Sequence, residues 1–314
     1  MDKDSKIYVA GHAGLVGSAI VRQLMQQGHT NLSLKTHEEL DLRDQSATDL
    51  FFSEQKPEFV FVAAAKVGGI EANRTKTAEF IYDNIQIQSN LIHFSWKYGV
   101  KKLLFLGSNC VYPKDCPQPM KEEYLLAGPP EPTNEPYAIA KISGIKMCQA
   151  YNNQHSTKFI SVMPASLYGP NDNFNPASSH FVAALIRKFH KAKISGSSEV
   201  VLWGTGNPRR EIMHVDDAAK ACLFLMDSYD SSEPINAGCG SDITIKELAM
   251  LIKNIVGFSG GVKFDASKPD GAAQKLLDSG RMHAIGWKPQ VGLNDGLRET
   301  YDWYVKNESL LKFA

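Results

Sequence analysis

The stretch GSNCVYP, residues 107–113, follows the apolar run KKLLFL and puts a hydroxyl and a thiol two residues apart. A strand ending there presents Ser108 and Cys110 from its tip. Further along, PYAIAK sets Tyr137 and Lys141 four residues apart, hence on one face of a helix. A free phenol titrates at roughly 10, too high for easy proton exchange at neutral pH. A neighbouring ammonium favours the phenolate and is expected to lower that value. Ser108 can hydrogen-bond the same carbonyl oxygen that Tyr137 protonates. One proton donor, one polariser and a hydride source above the carbonyl carbon are what carbonyl reduction requires. A Y-x-x-x-K pair alone is commonly a solvated helix face; its order after a glycine loop and a strand-end serine turns it into a catalytic reading.

Four chemistries are open to Cys110: core filling, half of a disulfide, a metal ligand, or proton transfer. The cysteines are Cys110, Cys116, Cys148, Cys222 and Cys239, an odd number without a C-x-x-C pair. No second pair or spaced histidines complete a zinc set, so disulfide and metal are the weaker readings and no metal is expected.

The elements that must position these groups begin with GHAGLVG, in which Gly11, Gly14 and Gly17 lie between the strand KIYVAG and the helix SAIVRQLMQQG. Glycines permit a tight turn and close backbone approach, and a helix N-terminus offers free N–H groups to a pyrophosphate. The spacing is G-x-x-G-x-x-G rather than G-x-G-x-x-G. A glycine turn that only packs a helix is the bland alternative; the place after the first strand favours a dinucleotide. Near the end of the second strand, LKTHEELDL carries Lys35 and His37 ahead of Glu38 and Glu39. Bases there suit a 2′-phosphate, so the cofactor is read as NADP(H), with Asp41 and Leu42 near the adenine.

Strands EFVFVAAA, KKLLFLGS and KFISVMPASLYGP alternate with helices DLRDQSATDLFFSEQK, TAEFIYDNIQIQSNLIHFSWKYG and PYAIAKISGIKMCQAYNNQ. This rhythm predicts an α/β fold, a Rossmann-type doubly wound parallel sheet with a smaller C-terminal α/β substrate domain. The first domain is expected over residues 1–170, with 200–227 returning to it, and the substrate-binding domain over 171–314. HVDDAAKACLFLMD should start a helix capped near Asp216 or Asp217.

The 314 residues are 43% apolar, enough for a sizeable core, and 34 basic residues balance 34 acidic ones. No global field draws the chain to nucleic acid or membrane. The charged start MDKDSKIYVAG has no apolar leader and no bilayer-spanning run is present, so a cytoplasmic protein is expected.

The order of glycine loop, strand-end serine and Y-x-x-x-K resembles the extended short-chain dehydrogenase/reductases. The blocks AAAKVGGI, KKLLFLGSNCVYP, EPTNEPYAIAKISGIK, LYGPNDNF, REIMHVDD and ASKPDG together resemble the GDP-L-fucose synthase family over nearly the whole chain. The resemblance implies a bifunctional NADPH-dependent 3,5-epimerase and 4-reductase converting GDP-4-keto-6-deoxy-D-mannose to GDP-L-fucose. It implies that Cys110 is the base and His180, after GPNDNF, the acid, with Ser108, Tyr137 and Lys141 serving the C4 oxygen. A thiol near 8.5 and an imidazole near 6.5 both exchange protons around neutrality, by their roughly ordinary values. Further cofactor contacts implied are Leu15, Val16, Lys66, Leu106, Pro164, Leu167 and His180; Lys188, Trp203, Arg210, Asp270 and Lys275 match positions that hold the GDP-sugar. His214 is read as structural. A homodimer is implied through the helix from about Thr77 and the Tyr137 helix, and FIYDNIQIQSNLIHF carries more apolar residues than one buried face needs.

The chain departs from the family in four places. Ala13 stands where an Arg helps bind the 2′-phosphate, and Asn109 replaces a second serine. PASLYGP replaces PTNLYGP at Ala165 and Ser166, and GAAQKLLD replaces GTPRKLLD. These keep two alternatives in view: a relative working on another nucleotide 4-ketosugar or only epimerising, and a nucleotide-binding paralogue without turnover. A dehydratase is disfavoured, because Asn109-Cys110 stands where those enzymes have an Asp-Glu pair.

Overall fold

The computed structural model describes residues 1–268 and 270–311. In chain order the elements are β1 (Ile7–Ala10), α1 (Leu15–Gln26), β2 (Leu32–Ser33), α2 (Gln45–Gln55), β3 (Phe59–Val62), α3 (Ile70–Thr75), α4 (Thr77–Lys97) and β4 (Lys102–Leu106). They continue with α5 (Glu135–His155), β5 (Phe159–Pro164), β6 (Ser166–Tyr168), α6 (Phe181–Ser195), β7 (Glu199–Trp203), β8 (Arg209–Arg210), β9 (Ile212–His214) and α7 (Val215–Ser228). The last are β10 (Ile235–Ala237), β11 (Ile243–Thr244), α8 (Ile245–Val256), β12 (Gly261–Asp265), β13 (Gln274–Lys275), α9 (Gly280–Ala284) and α10 (Leu293–Asn307).

Six strands form a parallel sheet in the order β10-β5-β4-β3-β1-β2. Strands β1, β4 and β5 are buried at every residue, the pattern of a sheet covered on both faces. The strand order reverses between β1 and β3, which opens a crevice at their C-terminal ends. Gly11 stands at that crevice with φ +81°, and a Cβ there would come within 2.7 Å of the Ala64 nitrogen beyond β3. Helix α5 lies tight on the sheet because Gly144 has no side chain; a Cβ at that position would meet Phe105 Cζ at 2.4 Å. That close approach brings the Tyr137 face of α5 to the end of β4.

Two apolar cores are present among the described residues. The larger surrounds the six-stranded sheet and includes α7 residues Val215–Met226, then Ile235, Ala237, Met282 and Trp287. The smaller gathers α6, α8 and α10 with Val200, Leu202 and Ile212. Helix α8 buries Leu248, Ala249, Ile252 and Val256 on one face, each larger side chain contributing roughly 1.5–3 kcal/mol. Its start is fixed by a capping box in which Thr244 and Glu247 each accept from the other's backbone N–H.

Two local expectations are corrected. KFISVMPASLYGP is not one strand: β5 ends at Pro164 and β6 pairs with β9 in a separate sheet. The Ala165 N–H still reaches the Ala237 carbonyl at 2.9 Å, but the Ser166 N–H turns to the Glu211 carbonyl at 3.2 Å, so the chain changes partner. Helix α7 is capped by His214, whose Nδ1 accepts from the Asp216 N–H, and not by Asp216 or Asp217. The Asp217 carboxylate instead accepts from the backbone N–H groups of Gln290 and Val291 at 2.9 and 2.8 Å.

Candidate active site

Strand β4 delivers its last carbonyl, that of Leu106, to the ammonium of Lys141 at 2.8 Å. Two residues on, the Ser108 hydroxyl accepts from the Cys110 N–H at 3.2 Å, which closes a short 3₁₀ turn over Asn109–Val111. That turn holds Ser108 and Cys110 at one mouth of the sheet. The Tyr137 phenol lies beside the Ser108 hydroxyl, close enough for that group to favour its phenolate, and its ring packs edge-on against Phe80. Lys141 is only 3% exposed, with its ammonium 4.8 Å from the Phe105 ring centre and 5.9 Å from that of Tyr137.

The electrostatics of this group correct one expectation. Tyr137 is not lowered by its lysine: burial pushes the phenol above its ordinary value, the Cys110 sulfur adds to the rise, and the Ser108 hydrogen bond opposes it. Burial also pulls the Lys141 ammonium down to about 7. Burial disfavours the lysine's charge, and its ammonium is committed to the Leu106 carbonyl, so it does not offset the burial of the phenol.

Cys110 is part-buried. Its Sγ accepts from Asn134 Nδ2 at 3.1 Å and lies 3.7 Å from Lys275 Nζ. Strand pairing aligns Lys275 of β13 with Arg210 of β8, so both cations arrive on the same side. Burial lowers the Arg210 guanidinium, and the charges of Cys110, Asp270 and Glu131 oppose that fall. His180, the residue before α6, is open to solvent yet walled by protein, and this desolvation pulls its imidazole below the ordinary histidine value. Among the described residues its ring makes no hydrogen bond to Cys110 or Tyr137.

The glycine loop fits a dinucleotide. A Cβ on Gly17 would fall 2.0 Å from the Gly11 carbonyl, so loop and helix touch through bare backbone. Helix α1 starts with Leu15 and Val16, has no side-chain cap and carries no acid in its first turn, which leaves its N–H groups free for an anion. On the adenosine side, Lys35 pairs with Glu39 at 3.2 Å. His37 is exposed, with Nδ1 3.9 Å from Asp41. Asp41 is gripped by Arg43 at 2.7 and 2.9 Å, which holds its carboxyl down at about 2, beside the buried Leu42. Lys66 is tied to Asp83 at 2.9 Å and to Glu79, both on α4. Pro164 ends β5, and Leu167 lies in β6 opposite Met213.

The other expected sugar-nucleotide residues are spread along the smaller core. Lys188 is exposed and reaches the Val201 carbonyl only at 3.5 Å, while Trp203 is 59% exposed with Lys268 5.6 Å above its ring. Asp270 is committed to a turn, accepting from the Thr205 N–H and hydroxyl at 2.7 Å each. Contacts and charge interactions link Ser108, Cys110, Tyr137, Lys141, Arg210 and Lys275, and Asp270 also acts on the Arg210 charge. Sequence reasoning missed Asn134 and Arg43. An Asn just before a helix reads as its cap, and Arg43 two residues from Asp41 carries no pattern that separates it from a surface charge.

A family model described as the NAD dependent epimerase/dehydratase family matches residues 7–238. The chain is 60% identical over 306 residues to GDP-L-fucose synthase 1 of Arabidopsis thaliana, covering 98% of this chain and 95% of that protein. Among solved structures it is similar to a GDP-6-OMe-4-keto-L-xylo-heptose reductase from C. jejuni, with TM-score 0.94, 40% identity and coverage of 98% and 99% of the two chains. It is also similar to a GDP-L-fucose synthetase from Naegleria fowleri bound to NADP, with TM-score 0.93, 30% identity and coverage of 99% and 98%.

Proposed function

The chain belongs to the NAD dependent epimerase/dehydratase family, and from that premise we propose that it is a bifunctional NADPH-dependent 3,5-epimerase and 4-reductase converting GDP-4-keto-6-deoxy-D-mannose to GDP-L-fucose. The observation that carries the reading is the convergence of the Ser108 hydroxyl, the Tyr137 phenol and the Cys110 thiol at the end of β4.

The keto group at C4 of this substrate acidifies the C–H bonds at C3 and C5. Cys110 takes such a proton, and Ser108 and Tyr137 hold the C4 oxygen as negative charge develops there. His180 returns a proton to the opposite face, and its lowered imidazole suits a group that loses protons readily. NADPH, when bound, would supply the hydride for C4. Tyr137 then protonates the oxygen; a phenol raised by burial stays protonated until an alkoxide, a far stronger base, draws the proton off. Gly11, Gly14, Gly17 and the first N–H groups of α1 would hold the pyrophosphate, Lys35 and His37 the 2′-phosphate, Asp41 and Leu42 the adenine side. Lys66, Leu106, Lys141, Pro164 and Leu167 would frame the nicotinamide end, and Arg210, Lys275, Lys188, Trp203 and Asp270 the GDP-sugar.

We assign residues 1–170, with 200–227 returning to them, to cofactor binding and 171–314 to substrate binding; the larger core also takes in Ile235, Ala237, Met282 and Trp287, and Val200 and Leu202 pack in the smaller one. A homodimer through α4 and α5 is supported by the exposed Tyr82, Trp96 and Ile139 on those helices. A cytoplasmic location is part of the same proposal; among the described residues no helix is long and apolar enough to cross a membrane. The likeness to the heptose reductase favours one second reading, reduction of a different GDP-4-ketosugar.

The test mixes purified protein with GDP-4-keto-6-deoxy-D-mannose and NADPH, follows NADPH absorbance and identifies the sugar product. GDP-L-fucose is expected from wild type, and an incompletely epimerised product or none from Cys110→Ser. NADPH loss with an unepimerised product from wild type would shift the assignment to the second reading.

A further inference from the structure

Asn134 occupies the position directly before α5, where an asparagine ordinarily turns its side chain onto a free N–H of the first turn and contributes about 1 kcal/mol. It does not do so here. No side chain caps α5, and Asn134 Nδ2 donates instead to Cys110 Sγ at 3.1 Å. Its Oδ1 is buried without a partner, so the contact with sulfur is the hydrogen bond that the amide makes in place of a cap. Strand β13 carries Lys275 Nζ to 3.7 Å from the same sulfur.

An ionised sulfur needs donors around it, and a part-buried one must find them in the protein. A neutral thiol is a weak acceptor and gains little from an amide N–H and an ammonium. The free N–H groups at the start of the 21-residue helix α5 favour negative charge in the same region. The remaining neighbours fall on both sides. Arg210 of β8 is coupled to Cys110 with favourable sign, Tyr137 of α5 with unfavourable sign, and Glu131 lies in the surroundings of Arg210. The Asn109 side-chain oxygen, 3.7 Å from Sγ, is an acceptor that only the neutral thiol can use. The two nearest donors therefore weigh toward the thiolate and the Asn109 oxygen against it.

We propose that Asn134 and Lys275 are positioning residues that stabilise the thiolate of Cys110 and so set how readily it accepts a substrate proton. The catalytic meaning of this inference rests on Cys110 being the base. It also gives Lys275 a task on the sulfur in addition to any contact with the nucleotide sugar.

The experiment reads the sulfur without turnover. Full-length wild type, Asn134→Leu, Lys275→Met and Lys275→Arg are alkylated with iodoacetamide over a pH series, and the Cys110 peptide is quantified by mass spectrometry. The thiolate displaces iodide and forms an S–C bond, so the rate tracks the ionised fraction. The profiles of Asn134→Leu and Lys275→Met are expected about one pH unit above wild type, with Lys275→Arg close to wild type. In the same variants kcat should fall about tenfold at neutral pH and recover at alkaline pH, which a merely structural loss would not do. Lys275→Met supplies the readout if Asn134→Leu does not fold. Unmoved profiles in folded, NADPH-binding variants would overturn the inference. The base reading is tested separately by solvent deuterium exchange at C3 and C5: exchange that survives in Cys110→Ser removes that reading even where the alkylation profiles have moved.

Discussion

Replacing Lys141 by methionine should remove the reductase activity and yet stabilise the cofactor-free fold at mildly acid pH. Lys141 is 3% exposed and its ammonium is lowered from 10.5 to about 7, with burial the cause. In the window between about 7 and 10.5 the unfolded chain holds a proton on this lysine that the folded chain does not. Wild-type stability therefore rises with pH across that window, and below it the full cost of burying the charge is present. A difference of about three and a half pH units at about 1.4 kcal/mol each sets a ceiling near ~5 kcal/mol. Methionine matches the length of the side chain but leaves the Leu106 carbonyl without its 2.8 Å donor, a loss of about 1 kcal/mol. Relaxation around a buried charge reduces the ceiling further, so a net gain of about 2 kcal/mol is expected near pH 6, shrinking to nothing or reversing near pH 10. Urea denaturation of both proteins at the two pH values, followed by tryptophan fluorescence, measures it. Parallel stability curves for wild type and variant across this range, or a variant weaker than wild type at pH 6, would refute the assignment of the cost to the buried ammonium.

Other substitutions probe the scaffold and the cofactor loop. Gly17→Ala should weaken NADPH binding by about tenfold or more in a fluorescence titration, because its Cβ would fall 2.0 Å from the Gly11 carbonyl and force the loop off α1. Glu211→Ala should cost about 3 kcal/mol in urea denaturation, since this buried carboxylate accepts from the N–H groups of Cys239, Gly240 and Leu277. Ala13→Arg should tighten NADPH about tenfold and leave NADH unchanged, with a steeper salt dependence for NADPH; Ala13 is exposed, so the longer side chain has room. Equal tightening of both cofactors would place the new cation away from the 2′-phosphate.

The parallel sheet and the order of chemical groups were legible because they follow from local rules. A short run such as KLLFL, apolar after its lysine, ended by Gly107 and alternating with helical segments, reads as a strand covered on both faces, and the four-residue spacing of Tyr137 and Lys141 fixes a shared helix face. What escaped the sequence depends on partners distant along the chain. The break between β5 and β6 is decided by the Ala237 and Glu211 carbonyls competing for successive N–H groups. Asn134 drew no reading as a site residue because the sulfur that its amide meets lies 24 residues away. The phenol was expected to fall beside its lysine, and it rises because its own burial disfavours the phenolate, while burial also pulls the Lys141 ammonium down. Charge balance in a pocket is a property of its walls, and spacing along a helix does not record it.

The positions at which the chain departs from its resemblance gain meaning from the same kind of long-range contact. Ala165 is buried and its N–H serves the Ala237 carbonyl, while Ser166 joins β6 to β9 through backbone, so these residues hold the seam between the sheets. Gln274 stands where an arginine was expected, and its Nε2 donates to Asp242 at 2.6 Å; the other oxygen of Asp242 accepts from Arg209 at 2.7 Å. Asp242 thus already has a cation and an amide, and a second arginine here would compete with Arg209 for it. Asn109 is buried, with its oxygen turned to the Cys110 sulfur. Among these departures Asn109 touches a group assigned to the proton chemistry, and Ala13 lies on the loop assigned to the cofactor; the others act on the frame. A chain altered in this way keeps the arrangement of Ser108, Cys110 and Tyr137, which is the reason to expect turnover rather than binding alone.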